Sequence, residues 1–238
     1  MATPLDPLRD RLPSTQIMPA ITLRARLRSL GTVGNRAIRE GEAIAMAQDP
    51  TIFVAQDVAR VLNAARLTYT VIGAYAVNPY SGQPRATRDV DVVAEKPEQA
   101  RDVLLAAFPA LRDISHPDEN AYALGRSRRT DIDVLHPVGI FAIALKHRRR
   151  VLLPDKVYAS IPTLEAMLVL KFLAMNARKR DEEARLQDRA DFIRMVKQAS
   201  QAKRIDLAQV TAIASLGSMP DTRIRQEIAR IQATQERA

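Results

Sequence analysis

The chain divides into three stretches that differ in how apolar and polar positions alternate. From Met1 to about Pro50, prolines at 4, 7, 13 and 19 interrupt the sequence, and no period is sustained until a short helical pattern around Arg36 to Met46. This predicts a loosely ordered arm over 1–50. Beyond it, Val54, Val58, Val61, Leu62 and Ala65 recur at helical spacing and predict a helix from about Val54 to Leu67. The run Tyr69-Thr70-Val71-Ile72 predicts a strand ending at Gly73. Ala74 to Val77 then read as the first turn of a short helix, and Asn78 to Pro84, with two prolines and a glycine, as a loop. A strand is expected over Asp89 to Val93, and Pro97 marks the start of a helix covering Glu98 to Phe108. Short strands at Tyr122–Leu124 and Asp131–Leu135, a helix from about Ile140 to Arg149 and a strand near Val157 to Ser160 follow.

From Thr163 onward the period is helical throughout. One amphipathic run passes from Thr163 to Met175, and others cover about Glu182 to Gln198, Leu207 to Leu216 and Asp221 to Gln235. The pattern therefore predicts an α+β protein. A small mixed sheet with flanking helices occupies 51–162, and a helical C-terminal region occupies 163–238.

Composition narrows the chemistry. At 238 residues, 47% of them hydrophobic, the chain can bury a substantial core. It has no cysteine, which excludes disulfides, thiolate zinc sites, iron–sulfur clusters and a cysteine nucleophile. No apolar run approaches the ~20 residues that span a bilayer, and Met1 to Arg11 lack the apolar segment of a signal peptide. A cytoplasmic protein without a membrane partner is the expectation. The net charge of +9 favours polyanionic partners or phosphate-bearing substrates. Aromatics at 4%, with no tryptophan, argue against recognition by stacking many bases. Arg24, Arg26 and Arg28 alternate with Leu23, Ala25 and Leu27, as in an edge strand or a basic tether. Two denser basic runs, Lys146 to Arg150 and Arg178 to Arg180, lie near expected helix C-termini; the helix dipole accounts for them, and so would a groove for an RNA acceptor.

The chemistry-bearing feature is a set of carboxylates on two apolar strands. Asp89 and Asp91, one residue apart in a strand, face the same side about 7 Å apart. Placing two anions side by side in a half-buried position costs free energy unless cations pair with them. Magnesium, a hard ion that takes carboxylate and phosphate oxygens, is a natural partner. If the second strand lies beside the first, Asp133, or Asp131 two residues earlier on the same face, joins them in a two-metal site with ions ~3.5–4 Å apart. Gly73 lies upstream, between a strand and a short helix whose free N–H groups suit a triphosphate.

The order Gly73-Ala74-Tyr75-Ala76, loop, Arg85-Ala86-Thr87-Arg88-Asp89-Val90-Asp91-Val92 resembles the signature of nucleotidyltransferases of the polymerase-beta superfamily. It resembles most the AbiEii-type, toxin-like bacterial branch, with its Gly-Gly or Gly-Ser, Ala, then Arg-x-Thr-x-Asp-Ile-Asp. Asp131-Ile132-Asp133-Val134-Leu135 stands at the family's third acidic strand, with Asp133 the better match. Thr163-Leu164-Glu165-Ala166 through Lys171, and Asp188-Arg189-Ala190-Asp191, resemble its helical segments. The likeness spans about Leu67 to Val196 and departs from the pattern at Ala74, where a second glycine or a serine is usual.

The resemblance implies transfer of a nucleoside monophosphate from a nucleoside triphosphate to an acceptor hydroxyl, with RNA, tRNA included, as the favoured acceptor and a cognate antitoxin as a partner. Asp89, Asp91 and Asp133 would be the catalytic and metal residues, holding two Mg2+ ions. Gly73, Ala74, Arg85 and Lys171 would bind the nucleotide. Two alternatives accompany this reading: transfer to a small molecule, and a catalytically silent nucleic-acid or partner-binding protein of the same fold.

Overall fold

The computed structural model describes residues 54–235 apart from 84, 117–119, 154–155, 203 and 218–220, together with Ile38, Glu40 and Ala43. The basic tether at Arg24, Arg26 and Arg28 lies outside the described residues. Ile38 is helical and packs into the core.

Helix α1 (Ala55–Ala64) buries Ala55, Val58, Ala59, Val61 and Leu62 on one face, as their spacing requires. It ends on Arg66, whose φ of 57° is left-handed, with Leu67 N–H bonding the Leu62 carbonyl and Arg66 N–H that of Asn63. This Schellman pairing satisfies the last carbonyls and turns the chain into β1 (Tyr69–Val71). Helix α2 (Gly73–Ser81) follows β1 after a single residue, then β2 (Val90–Ala94), α3 (Pro97–Ala107), β3 (Arg112–Asp113), β4 (Ala121–Gly125) and β5 (Ile132–Leu135). The five strands form one mixed sheet in the order β1-β2-β5-β4-β3. Its central pair, β2 and β5, is parallel; the other pairs are antiparallel. Valine and isoleucine at Val90, Val92, Ile132 and Val134 are fully buried and anchor that central pair.

Next come α4 (Ile140–Lys146), β6 (Arg148–Leu152) and β7 (Tyr158–Pro162), the last two forming a separate antiparallel ribbon that packs through β7 on β1 and α1. The helices α5 (Leu164–Met175), α6 (Glu182–Gln201), α7 (Leu207–Leu216) and α8 (Asp221–Gln235) complete the chain. Thr163 caps α5 by accepting from Ala166 N–H. Buried from Glu165 to Phe172, α5 is covered by α6 and α7, with Phe172 against Phe192 at 5.7 Å. The architecture is thus α+β, a small mixed sheet with flanking helices followed by helices alone.

Two expectations are corrected. The segment from Asn78 read as a loop but continues α2 to Ser81 through Pro79. Proline costs a helix interior about 3 kcal/mol, and tertiary bonds offset it. The buried Asn78 side chain bonds both the N–H and the carbonyl of Arg85, at 3.1 Å each, and the Tyr80 hydroxyl donates to the Pro162 carbonyl at 2.7 Å. The run 148–150, read as the end of a helix, is strand β6. Its ladder to β7 is continuous from Arg148 opposite Pro162 to Leu152 opposite Tyr158. Strand β3 had no pattern to announce it, being two exposed residues long.

Replacing Asn78 by alanine leaves the buried ends of Arg85 unpaired. Chemical denaturation is expected to show a loss of about 2–3 kcal/mol.

Candidate metal centre

The β2–β5 register sets Asp91 opposite Asp133, between the pairs Val90–Ile132 and Val92–Val134. Because side chains alternate across a strand, both carboxylates leave the sheet on the face opposite those buried valines and isoleucine. Asp89, immediately before β2, shares that face, and its Oδ1 accepts a hydrogen bond from the Thr87 hydroxyl at 2.5 Å. The three half-buried carboxylates offer one oxygen each within 4.8 Å of one another.

Asp131, the alternative third carboxylate, is committed elsewhere. Arg126 reaches it through its guanidinium at 2.6 and 3.1 Å and its backbone N–H at 3.0 Å. Burial alone would raise the Asp131 pKa, but these bonds hold it below the ordinary carboxylate value. It serves the β4–β5 turn, and Asp133 completes the cluster.

Gly73 opens α2 beside this cluster. Its φ of +64° favours glycine, and an added Cβ would collide with the Asp91 carboxylate, falling 3.1 Å from Cγ. Ile72 N–H bonds the Asp91 carbonyl at 2.9 Å and fixes the approach. The helix has no side-chain cap at Ile72 and no acid in its first turn, so its positive end lies against the carboxylates. Ala74, next in the chain, is buried at 4% exposure.

The two expected phosphate-binding cations lie behind the cluster in a buried network. Lys171 Nζ, on α5, sits 2.7 Å from Asp188 and 2.9 Å from Asp191 of α6. Arg85 reaches Asp191 at 3.3 Å, and Arg180 pairs with Asp188 at 2.7 Å. Arg180 is a member that sequence reasoning misses, because the helix dipole or an RNA groove already accounts for the run 178–180. Asp188 and Asp191 are almost fully buried and are matched by this group of cations.

Asp91 is short of positive charge. Burial first, then Asp89 and Asp133, raise the Asp91 pKa from 3.8 to about 7, against the weaker opposing pull of Lys171 and Arg180. Among the described residues no cation pairs directly with the Asp91 carboxylate. Three clustered carboxylates, one forced toward its protonated form, are a donor set that fits a hard divalent cation.

No family model and no curated protein matches the chain. Among solved structures, it is similar to an antigenic nucleotidyltransferase-like protein from Paracoccidioides brasiliensis, at 20% identity over 75% of this chain and 89% of that one, with a TM-score of 0.46. It is also similar to the Megavirus polyadenylate synthase, at 14% identity over 80% of this chain, with a TM-score of 0.43. This chain spans 36% of the length of the viral protein.

The raised Asp91 pKa gives a signed pH dependence. Between 3.8 and about 7 the native protein holds a proton that the unfolded chain has lost, so stability falls as pH rises through that window. Thermal melts of the metal-free protein are expected to show this decline, and Asp91→Asn to flatten it. Added Mg2+ should raise the melting temperature more above the window than below it, and little in the variant.

Proposed function

We propose that the chain is a metal-dependent nucleotidyltransferase, moving a nucleoside monophosphate from a nucleoside triphosphate to an acceptor hydroxyl, with RNA the favoured acceptor. The observation that carries this reading is the carboxylate cluster Asp89, Asp91 and Asp133 pressed against the uncapped N-terminus of α2 at Gly73. One end of the sheet then offers acidic ligands and backbone donors together, as a metal–triphosphate complex demands.

Asp89 and Asp91 would hold two Mg2+ ions, with Asp133 a further ligand. Bound there, magnesium would supply charge neutralisation of the triphosphate and a lowered pKa for the attacking hydroxyl. The N–H groups of Gly73 and Ala74 orient the phosphates. The acceptor oxygen forms a bond to the α-phosphorus, the bond to the β-phosphate oxygen breaks, and pyrophosphate leaves with that electron pair. Asp133 takes the acceptor's proton. Thr87 fixes the rotamer of Asp89 through its hydrogen bond. Lys171 and Arg85 add positive potential from their ion-paired positions; direct contact would exchange a carboxylate oxygen for a phosphate oxygen. The likeness of the motifs to the toxin-like branch adds a repressing antitoxin protein to this reading.

A catalytically silent binder is the second reading. It draws on Ala74 in place of a small or hydroxyl-bearing partner, and on both expected phosphate cations being occupied by Asp188 and Asp191.

Purified protein incubated with each α-labelled nucleoside triphosphate, Mg2+ and total bacterial RNA is expected to label RNA. The Asp89→Ala, Asp91→Ala double variant should lose more than about a hundredfold of that rate, beyond what loss of an outer-shell partner costs. Label on a small molecule would redirect the acceptor. Full activity in the variant, or no label on any acceptor, would contradict the proposal.

A further inference from the structure

The hairpin joining β4 and β5 carries Arg126, Ser127, Arg128 and Arg129, all exposed, and leads directly into the strand that bears Asp133. It is a built turn. Arg126 is clamped to the buried Asp131, and Gly125 leaves no room for a Cβ because the Arg129 carbonyl packs against it, with Ile114 Cδ1 at 2.9 Å. Arg126, Ser127, Arg129 and Asp131 line an open cavity of about 300 Å³. Arg126 holds Asp131 by direct hydrogen bonds, Arg129 faces the same carboxylate at longer range, and with Arg128 beside them the three arginines outnumber the one acid of the cavity.

The cavity opens at the same end of the sheet as the carboxylate cluster. Asp131 lies two residues before Asp133, and its carbonyl accepts from Val90 N–H at 3.1 Å, which carries the ladder one residue beyond the start of β5. Across this end of the sheet the order is therefore α2 N-terminus after β1, carboxylates on β2 and β5, and arginines between β5 and β4. The triphosphate subsite proposed above lies on the β1 side. A phosphate held by the hairpin lies on the other flank, from which the attacking hydroxyl must come in an in-line displacement.

We propose that Arg128 and Arg129 bind a backbone phosphate of a single-stranded RNA acceptor and so place its terminal hydroxyl at the carboxylates. This deepens the transferase reading and rests on it. The dense basic run on β6 is a poorer candidate, and in the run 178–180 Arg180 is paired with Asp188. Arg149 is bonded to the Tyr80 hydroxyl at 2.9 Å and Arg150 is stacked on Tyr158 at 4.3 Å, on a ribbon that packs beyond β1.

The test compares the native protein with Arg128→Ala, Arg129→Ala and, as a control, Arg148→Ala, Arg150→Ala. Anisotropy of a short 5′-labelled single-stranded RNA reports the acceptor, and calorimetry with magnesium tripolyphosphate reports the triphosphate subsite. The hairpin variant should melt like the native protein, bind RNA about tenfold or more weakly, with a salt slope lower by about 0.7 for the one phosphate released, and bind tripolyphosphate unchanged. RNA binding that survives in the hairpin variant, falls equally in the β6 control or is absent from the native protein overturns the proposal. So does a loss confined to tripolyphosphate, which would assign the arginines to the other substrate. Failure of the transferase reading shows separately, as native protein whose tripolyphosphate binding does not depend on Asp89 and Asp91.

Discussion

The mutual repulsion of three carboxylates, held together by a backbone ladder that does not let them separate, is the constraint on which the rest of the structure turns. Asp91 and Asp133 are directly opposed because β2 and β5 are parallel and in that register. The register is set on the far face, where Val90, Val92, Ile132 and Val134 are completely buried. Each such side chain contributes about 1.5–3 kcal/mol, and a one-residue slip of either strand would turn its apolar pair onto the carboxylate face and its aspartate into the core. Apolar burial on one face thus compels electrostatic strain on the other. That strain is visible as an Asp91 pKa pushed up to about 7, and a divalent cation bound there would relieve it.

The helical C-terminal region is bound into the same electrostatics. Lys171, from the most deeply buried helix, and Asp188 and Asp191, from the helix packed across it, form a network that also takes in Arg85 and Arg180. Buried ions of this kind are costly singly and tolerable only as a matched set. Lys171 and Arg180 remain close enough to lower the Asp91 pKa, so the network acts as a positive support behind the carboxylates. Arg85 joins it from the segment that leads to Asp89, and Asn78 ties the backbone of that segment to α2. The sheet, the Gly73 helix and the C-terminal helices therefore meet around one cluster of charge.

Much of this was legible in the sequence because it rests on local periods. Aspartate alternating with valine or isoleucine puts Asp89 and Asp91 on one face, with Asp133 or Asp131 joining them only if the two strands are neighbours, and Gly73 after a β-branched run marks where α2 begins. Thr163, which caps the N–H three residues on, marks the start of α5. What the sequence hid depended on distant partners. Pro79 argued against a helix that is held by Asn78 to Arg85 and by Tyr80 to Pro162. Arg148 to Arg150 carry no strand signal until β7 is there to pair with them. The choice between Asp131 and Asp133 turned on Arg126, whose grip on Asp131 is a matter of hairpin geometry that spacing alone does not show.

The central claim is that these carboxylates are metal ligands, and diffraction tests it most directly. Crystals grown with Mn2+ and a non-hydrolysable nucleoside triphosphate, measured at the manganese edge, should give anomalous density within bonding distance of Asp89, Asp91 and Asp133, with the phosphates reaching toward Gly73. Manganese absent from the cluster, or a triphosphate bound away from it, would contradict the account.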